Sequence, residues 1–169
     1  MLGQLFGSVR RNHALEHATI SVLASTLGHD VRLVGRSTGS GFYLYGDMTA
    51  DQIEESAVEA LQRLRRGEKH LAVSPMCGTN LAVAGILAGL SSLIALGNRS
   101  RLERLPNVLL ASMLAVLAAQ PLGRLAQQHL TTDSDLSDTE LVSIRPGGRG
   151  AGRFHKVDTS RHRRVSASP

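Results

Sequence analysis

Two long stretches of this chain carry no charge, and they limit what it can become. The first runs from Leu71 to Asn98 and the second from Leu105 to Gly123, with only "RSRLER", residues 99–104, between them. A mostly apolar run of about 18 residues or more can cross a hydrocarbon core of roughly 30 Å as a helix. The cores "NLAVAGILAGLSSLIALG", 80–97, and "NVLLASMLAVLAAQPLG", 107–123, therefore read as a transmembrane helical hairpin, with Pro106 suited to the start of the second helix. The competing reading is a buried hairpin in a soluble protein, because Gly, Ala and Ser keep both runs only moderately hydrophobic. Neither run lies at the N-terminus, so neither reads as a cleavable signal peptide.

Small residues suggest how the two helices meet. Gly85 and Gly89 form a small-xxx-small pair beside Ala84 and Ala88, and Ala111, Ala115 and Ala119 offer a matching smooth face. Such faces let helix backbones approach closely, within the hairpin or between copies as a homo-oligomer. Orientation follows from the basic residues. Arg63, Arg65, Arg66 and Lys69 before the first span and Arg124 after the second outweigh Arg99, Arg101 and Arg104 in the loop, which places both termini of a multi-pass cell-membrane protein in the cytoplasm.

The net charge of +5 raises nucleic acid as a partner, but aromatic residues make up only 3% of the chain, too few to stack single strands, and no zinc-finger or RNP-like pattern occurs. Nucleic acid is therefore set aside in favour of the lipid bilayer, and "RHRR", 161–164, reads as a headgroup contact or a solvated stretch. A single cysteine, Cys77, allows no intrachain disulfide and agrees with a reducing compartment.

Outside the spans the pattern is α+β: a small cytoplasmic layer of helices and a short sheet. Leu2, Phe6, Val9, Ile20, Leu23 and Leu27 recur at helical spacing, and the gap in that seam falls on His13 and Glu16. This predicts a helix over 2–27, ended by Gly28 and His29-Asp30. "VRLVG", 31–35, and "GFYLYG", 41–46, around "RSTGS" predict a β-hairpin. The same stretch lacks the G-K-[ST] ending of a phosphate loop, and no G-x-S-x-G nucleophile elbow occurs. A helix follows over 49–68, capped by Thr49 or Asp51, with Ile53, Ala57, Ala60, Leu61 and Leu64 on one face and Gly67 as its stop. "HLAVS", 70–74, "LVSIRP", 141–146, and "RFHKVDT", 153–159, are further strand candidates, with "TTDSDLSDTE" a polar loop and "GGRGAG" a turn. The expected layout is an α+β region at 1–78, the transmembrane hairpin at 79–123, a C-terminal strand region at 124–157 returning to the sheet, and a disordered basic tail at 158–169.

Within the first helix, "RNHALEHATI", 11–20, puts His13 and His17 four apart with Glu16 between them. Two imidazoles at that spacing converge on one point and can hold zinc, while the glutamate can act as general base toward water. The order H-x-x-E-H is the inverted zinc-protease motif. The bland alternatives are exposed helix histidines, or three groups that satisfy one another or pair with Arg10 or Arg11. A carboxylate in an apolar seam costs several kcal/mol unless it is paired or coordinated, which argues for a partner. Cys77 lies just before Thr79 and Asn80, at the N-terminus of the first span, where its thiolate is favoured as ligand or nucleophile. Alternatively it is a small apolar residue in a tight turn.

"HALEHATI" followed by "SPMCGTN" and a membrane span resembles a DUF6391-like family of small bacterial membrane proteins of unknown function. It is also similar to a larger bacterial membrane family regarded as metal-dependent enzymes, carrying H-x-x-E-H and then P-x-C-G-T. The resemblance covers about residues 10–98. It implies a site of His13, Glu16, His17 and Cys77. The larger family has His just before the proline, where this chain has Ser74, and His155 is the substitute ligand. His70 and Glu68 read as a helix end and a strand start instead. Pitrilysin-type proteases share the inverted motif, but their larger domains find no room here and none of Glu54, Glu55 or Glu59 is an evident counterpart of their distant ligand.

The function expected is a membrane-bound, zinc-dependent hydrolase, of which a peptidase is one form, with Glu16 catalytic and His13, His17, Cys77 and His155 as metal ligands. The rival is a non-catalytic membrane protein in which the same residues form a structural metal site or a hydrogen-bonded cluster. An open coordination position separates the two. Neither substrate nor reaction is legible in the sequence.

Overall fold

The computed structural model describes residues 2–28, 33–97, 104–148 and 153–162. Its elements are helix α1 (Leu2–Leu27), strands β1 (Val34–Thr38) and β2 (Gly41–Tyr45), helix α2 (Ala50–Arg65), a 3-10 turn at Lys69–Ala72, helices α3 (Gly78–Leu96) and α4 (Leu105–Ala126), a π-helical turn at Gln127–Thr131, and strands β3 (Thr139–Gly147) and β4 (Phe154–Arg161). They fall into two compact units, Met1–Val73 with Thr132–Pro169, and Ser74–Thr131. The His29-Asp30 helix end, the start of the first predicted strand, the loop arginines Arg99 and Arg101, most of the "GGRGAG" turn and residues 163–169 of the tail lie outside the described residues.

The first unit is α+β. Its four strands form an antiparallel sheet in the order β1-β2-β4-β3. Side chains alternate across a strand, so Phe42, Leu44, His155 and Val157 share the face that is buried, whereas Tyr43, Tyr45, Phe154 and Lys156 lie on the other. The buried face meets α1 through Leu15, Val22 and Leu23 and completes a core with Met48, Ile53, Leu61 and Leu64 of the α2 region. Each such side chain contributes about 1.5–3 kcal/mol by leaving water.

Local chemistry explains the boundaries. Gly28 takes a φ of 93°, a left-handed value that ends α1 without a Cβ clash. Thr49 caps α2, resolving the choice with Asp51: its Oγ1 accepts from Gln52 N at 3.2 Å and Gln52 Oε1 accepts from Thr49 N at 3.0 Å. The face of α2 read from periodicity is the buried one, with Ser56 added.

Four expectations are corrected. The buried stripe of α1 is Ala14, Leu15, Ala18 and Val22 as well as Leu23, while Phe6 and Leu27 at the ends of the predicted seam are exposed. "HLAVS" is not a strand: Lys69–Ala72 coils into a 3-10 turn that buries the adjacent Leu71 and Ala72 together, which an alternating strand does not do. The hairpin register also differs, because β1 continues through Thr38 and the turn is only Gly39-Ser40. At the other end, β4 runs on to Arg161, where Thr139–Leu141 pair with it and Asp158 is bracketed by Arg145 and Lys156, so residues 158–161 are strand.

The second unit is a helical pair. Both helices are long and apolar enough to cross a membrane. They turn large side chains outward, Leu81, Leu93 and Ile94 from α3 and Leu109, Met113 and Leu117 from α4. Ser92 and Ser112 meet between them, Oγ to Oγ at 2.8 Å. Gly85 and Gly89 do not line this contact: a Cβ at either would meet open space, so the predicted glycine pair faces away from α4. The close approach falls at Gly123 instead, where a Cβ would collide with Asn80.

Candidate metal centre

The site begins with how α1 is seated in the first unit. Asn12 ties it to two strands, donating from Nδ2 to Thr38 O at 2.8 Å and accepting from Thr159 Oγ1 at 2.7 Å. One turn on, Glu16 lies over β1. Its carboxylate is buried at 5% exposure, which costs several kcal/mol unless hydrogen bonds compensate, and the Ser37 hydroxyl donates to Oε2. Beneath it is Gly35, where a Cβ would run into the carboxyl group. Glycine here is a matter of space: it lets the acid lie against the strand backbone.

His13 and His17 project from the adjoining flank. Their rings stand 4.3 Å apart between centroids at an angle of 59°, and their ligand nitrogens lie within 4.8 Å of one another. Nitrogens sharing a tetrahedral zinc at about 2 Å each are separated by roughly 3–4 Å, so small side-chain rotations suffice. His17 is buried, and its Nδ1 is 2.9 Å from Ala72 O. A carbonyl only accepts, so Nδ1 carries the proton and Nε2 keeps the lone pair. This is how ligating histidines are usually held, by a backbone carbonyl on the far ring nitrogen. The bond also gives the 3-10 turn at Lys69–Ala72 a role in the site.

Arg11, offered as a partner for the acid, faces Asp133 at 3.8 Å, and Arg10 donates to Thr132 O at 2.9 Å. His155 stands apart. It lies on β4 in register with Leu44 and Pro146, two strands over from Gly35, or roughly 10 Å at ordinary strand spacing. Among the described residues it does not converge with His13 and His17. It is buried, its Nδ1 has no hydrogen-bond partner among the described residues, and burial, with a smaller push from Arg153, lowers its pKa below the ordinary 6.5. Glu68 is engaged with Arg63, which holds its carboxyl below the usual range.

Cys77 belongs to the second unit, where it is itself the N-cap of α3: its Sγ accepts from Thr79 N at 3.4 Å. The loop before it is fastened from two sides. Asn80 donates to Pro75 O at 2.8 Å, and Gln127 accepts from Ser74 N at 2.9 Å, donates to Ser74 O at 3.0 Å and donates to Asn80 Oδ1 at 2.8 Å. Ser74 is thus held through its backbone, which does not depend on its side chain.

Sequence reasoning missed Asn12, Gly35, Ser37 and Gln127. Asn12 and Ser37 had a weak signal as polar residues beside the motif and in the hairpin; Gln127 had none, since it follows the second span by several residues.

Residues 8–144 match DUF6391, a domain of unknown function. An uncharacterised protein of Picosynechococcus sp. is 40% identical over an alignment of 137 residues, which covers 73% of this chain and 65% of the relative. This chain therefore spans about 65% of the length of the curated relative it matches. No solved structure matches it. Since the match takes in the H-x-x-E-H helix, the sheet strands β1 and β2 and both apolar helices, the chain belongs to the DUF6391 family.

Proposed function

We propose that this protein is a membrane-anchored, zinc-dependent hydrolase working at the cytoplasmic membrane face, with peptidases the first class to test. The observation that carries the reading is the seating of His17: its Nδ1 is spent on Ala72 O, which leaves Nε2 beside His13, with Glu16 buried one residue away. His13 and His17 would hold the ion, and Cys77 is the third ligand on the strength of the "SPMCGTN" pattern and its place at a helix N-terminus, which favours the thiolate. Two imidazoles and a thiolate are a borderline-soft set suited to zinc. When bound, zinc supplies Lewis acidity to a carbonyl and makes a nearby water more acidic.

The chain's own residues do the rest. Glu16 takes a proton from the attacking water and returns it to the leaving group, and the Ser37 hydroxyl, donating to Oε2, holds the carboxylate in place. Burial keeps Glu16 from exchanging partners with bulk solvent. The structural-site reading draws on the same bond, because a carboxylate tied to Ser37 also serves as a counter-charge for a closed metal centre.

Glu16→Gln separates the two. As general base, its loss leaves zinc content and melting temperature near the wild type while turnover in a hydrolase substrate screen falls by roughly 10²-fold or more. As a structural counter-charge, its loss lowers zinc affinity or stability. Retained zinc with undiminished turnover removes Glu16 from the mechanism.

A further inference from the structure

We infer that the substrate of this site is an extended peptide segment that pairs as a fifth strand along the outer edge of β1. This rests on the hydrolase reading above and gives it a substrate class. β1 is an edge of the sheet. Which of its residues turn their backbone outward follows from the ladder. Gly46 N donates to Arg153 O at 3.3 Å and Thr159 N donates to Ser40 O at 3.0 Å, so the even-numbered residues of β2 bond β4 and the odd-numbered ones, Gly41, Tyr43 and Tyr45, bond β1. Their partners are Thr38, Arg36 and Val34. Gly35 and Ser37 therefore aim both N–H and C=O away from β2, and among the described residues no main-chain bond outside the sheet reaches them.

These two residues are the ones that seat Glu16, Ser37 by its hydroxyl and Gly35 by its missing Cβ. The outward groups repeat every second residue, about 6.8 Å along a strand, and present a donor and an acceptor each time. A sugar or phosphate has no such repeat; another extended backbone does, and edge pairing is a recurrent way to bind one. Gly35 lets the carboxylate lie close to the strand, so the acid stands against the same two residues that present the outward backbone groups. The edge holds no proline and no bulge, two of the devices that block pairing, and Arg36 is the one charged residue on it. Hydrolysis then balances simply: the water oxygen bonds to the carbonyl carbon, the C–N bond breaks, and the proton that Glu16 removed from water goes to the departing amine.

The test uses the full chain, zinc-loaded in detergent, with three probes: acetohydroxamate, a capped tripeptide hydroxamate, and the same tripeptide N-methylated at the amide that would face β1. The tripeptide hydroxamate should bind at least about tenfold tighter than acetohydroxamate and slow amide exchange at Gly35 and Ser37, and N-methylation should abolish both effects. If acetohydroxamate binds but the tripeptide gains nothing, or its gain survives N-methylation with exchange at Gly35 and Ser37 unchanged, the peptide inference is overturned and the hydrolase reading stands. If neither hydroxamate binds, the zinc site itself is refuted and the inference falls with it.

Discussion

Replacing Gly35 by alanine adds one carbon at the most crowded point of the site. The new Cβ would stand 2.5 Å from Glu16 Cδ and 2.7 Å from its Cγ, so the stem of the side chain must move as well as its tip. Overpacking of this kind costs about 1–3 kcal/mol. Displacement also breaks the Ser37 bond to a charged acceptor, worth about 1.5–3 kcal/mol. Alanine recovers about 0.5–1 kcal/mol over glycine within a strand. The net is a destabilisation of about 2–5 kcal/mol, or a melting temperature lower by about 5–15 °C in detergent, followed by circular dichroism. In a Glu16→Ala background the added carbon meets the space the acid has left, and the same substitution should be neutral or slightly stabilising. The coupling between the two changes should then be about 2 kcal/mol or more. Equal effects of Gly35→Ala with and without Glu16 would refute the geometry.

Two further outcomes follow from burial and hydropathy. Burial, with a smaller push from Arg153, lowers the pKa of His155 below the ordinary 6.5. As pH falls below that value the unfolded chain takes up a proton that the folded chain refuses, so stability is fully present above it and is lost as pH drops toward the folded pKa. His155→Leu should flatten this part of the melting-temperature profile between about pH 7 and 5 relative to wild type, and an unchanged slope would mean that His155 is not the group responsible. The protein should remain with the membrane pellet through alkaline carbonate washing, as two spanning helices require. Release into the supernatant would exclude the spanning hairpin, and labelling of a Ser100→Cys variant from the cytoplasmic side alone would reverse its orientation.

How much was legible depended on how local the determinants are. The face of α2 follows from a capping box and a clean 3.6-residue period, and both are contained within the segment. α1 is harder because it is lined on more than one side: Leu15 and Val22 face the core beside small Ala14 and Ala18, polar Asn12 and Glu16 face the sheet, and the bulky Phe6 and Leu27 that drew the seam lie at exposed ends. The 3-10 turn at Lys69–Ala72 is stabilised by Ala72 O meeting His17, 55 residues away in sequence, and no local alternation encodes that contact. Of the site, the H-x-x-E-H residues could be read because helix geometry alone brings i and i+4 together. Ser37 and Gly35 could not, since a Gly/Ser-rich hairpin looks like turn chemistry until the strand is placed under the acid. The glycine pair in α3 misled for a related reason: small residues permit close packing but do not say which of two smooth faces is used.

The proposed chemistry depends on a metal ion held by His13 and His17, and the zinc content of detergent-purified protein measures that directly. Elemental analysis should find about one equivalent of zinc per chain in the wild type. His13→Ala and His17→Ala should each lose it while keeping the wild-type circular dichroism spectrum, because the core of α1 is built by Leu15, Val22 and Leu23 on the other side of the helix. Wild-type protein that is fully folded, free of bound metal and unable to take up added zinc, or histidine variants that retain a full equivalent, would contradict the account.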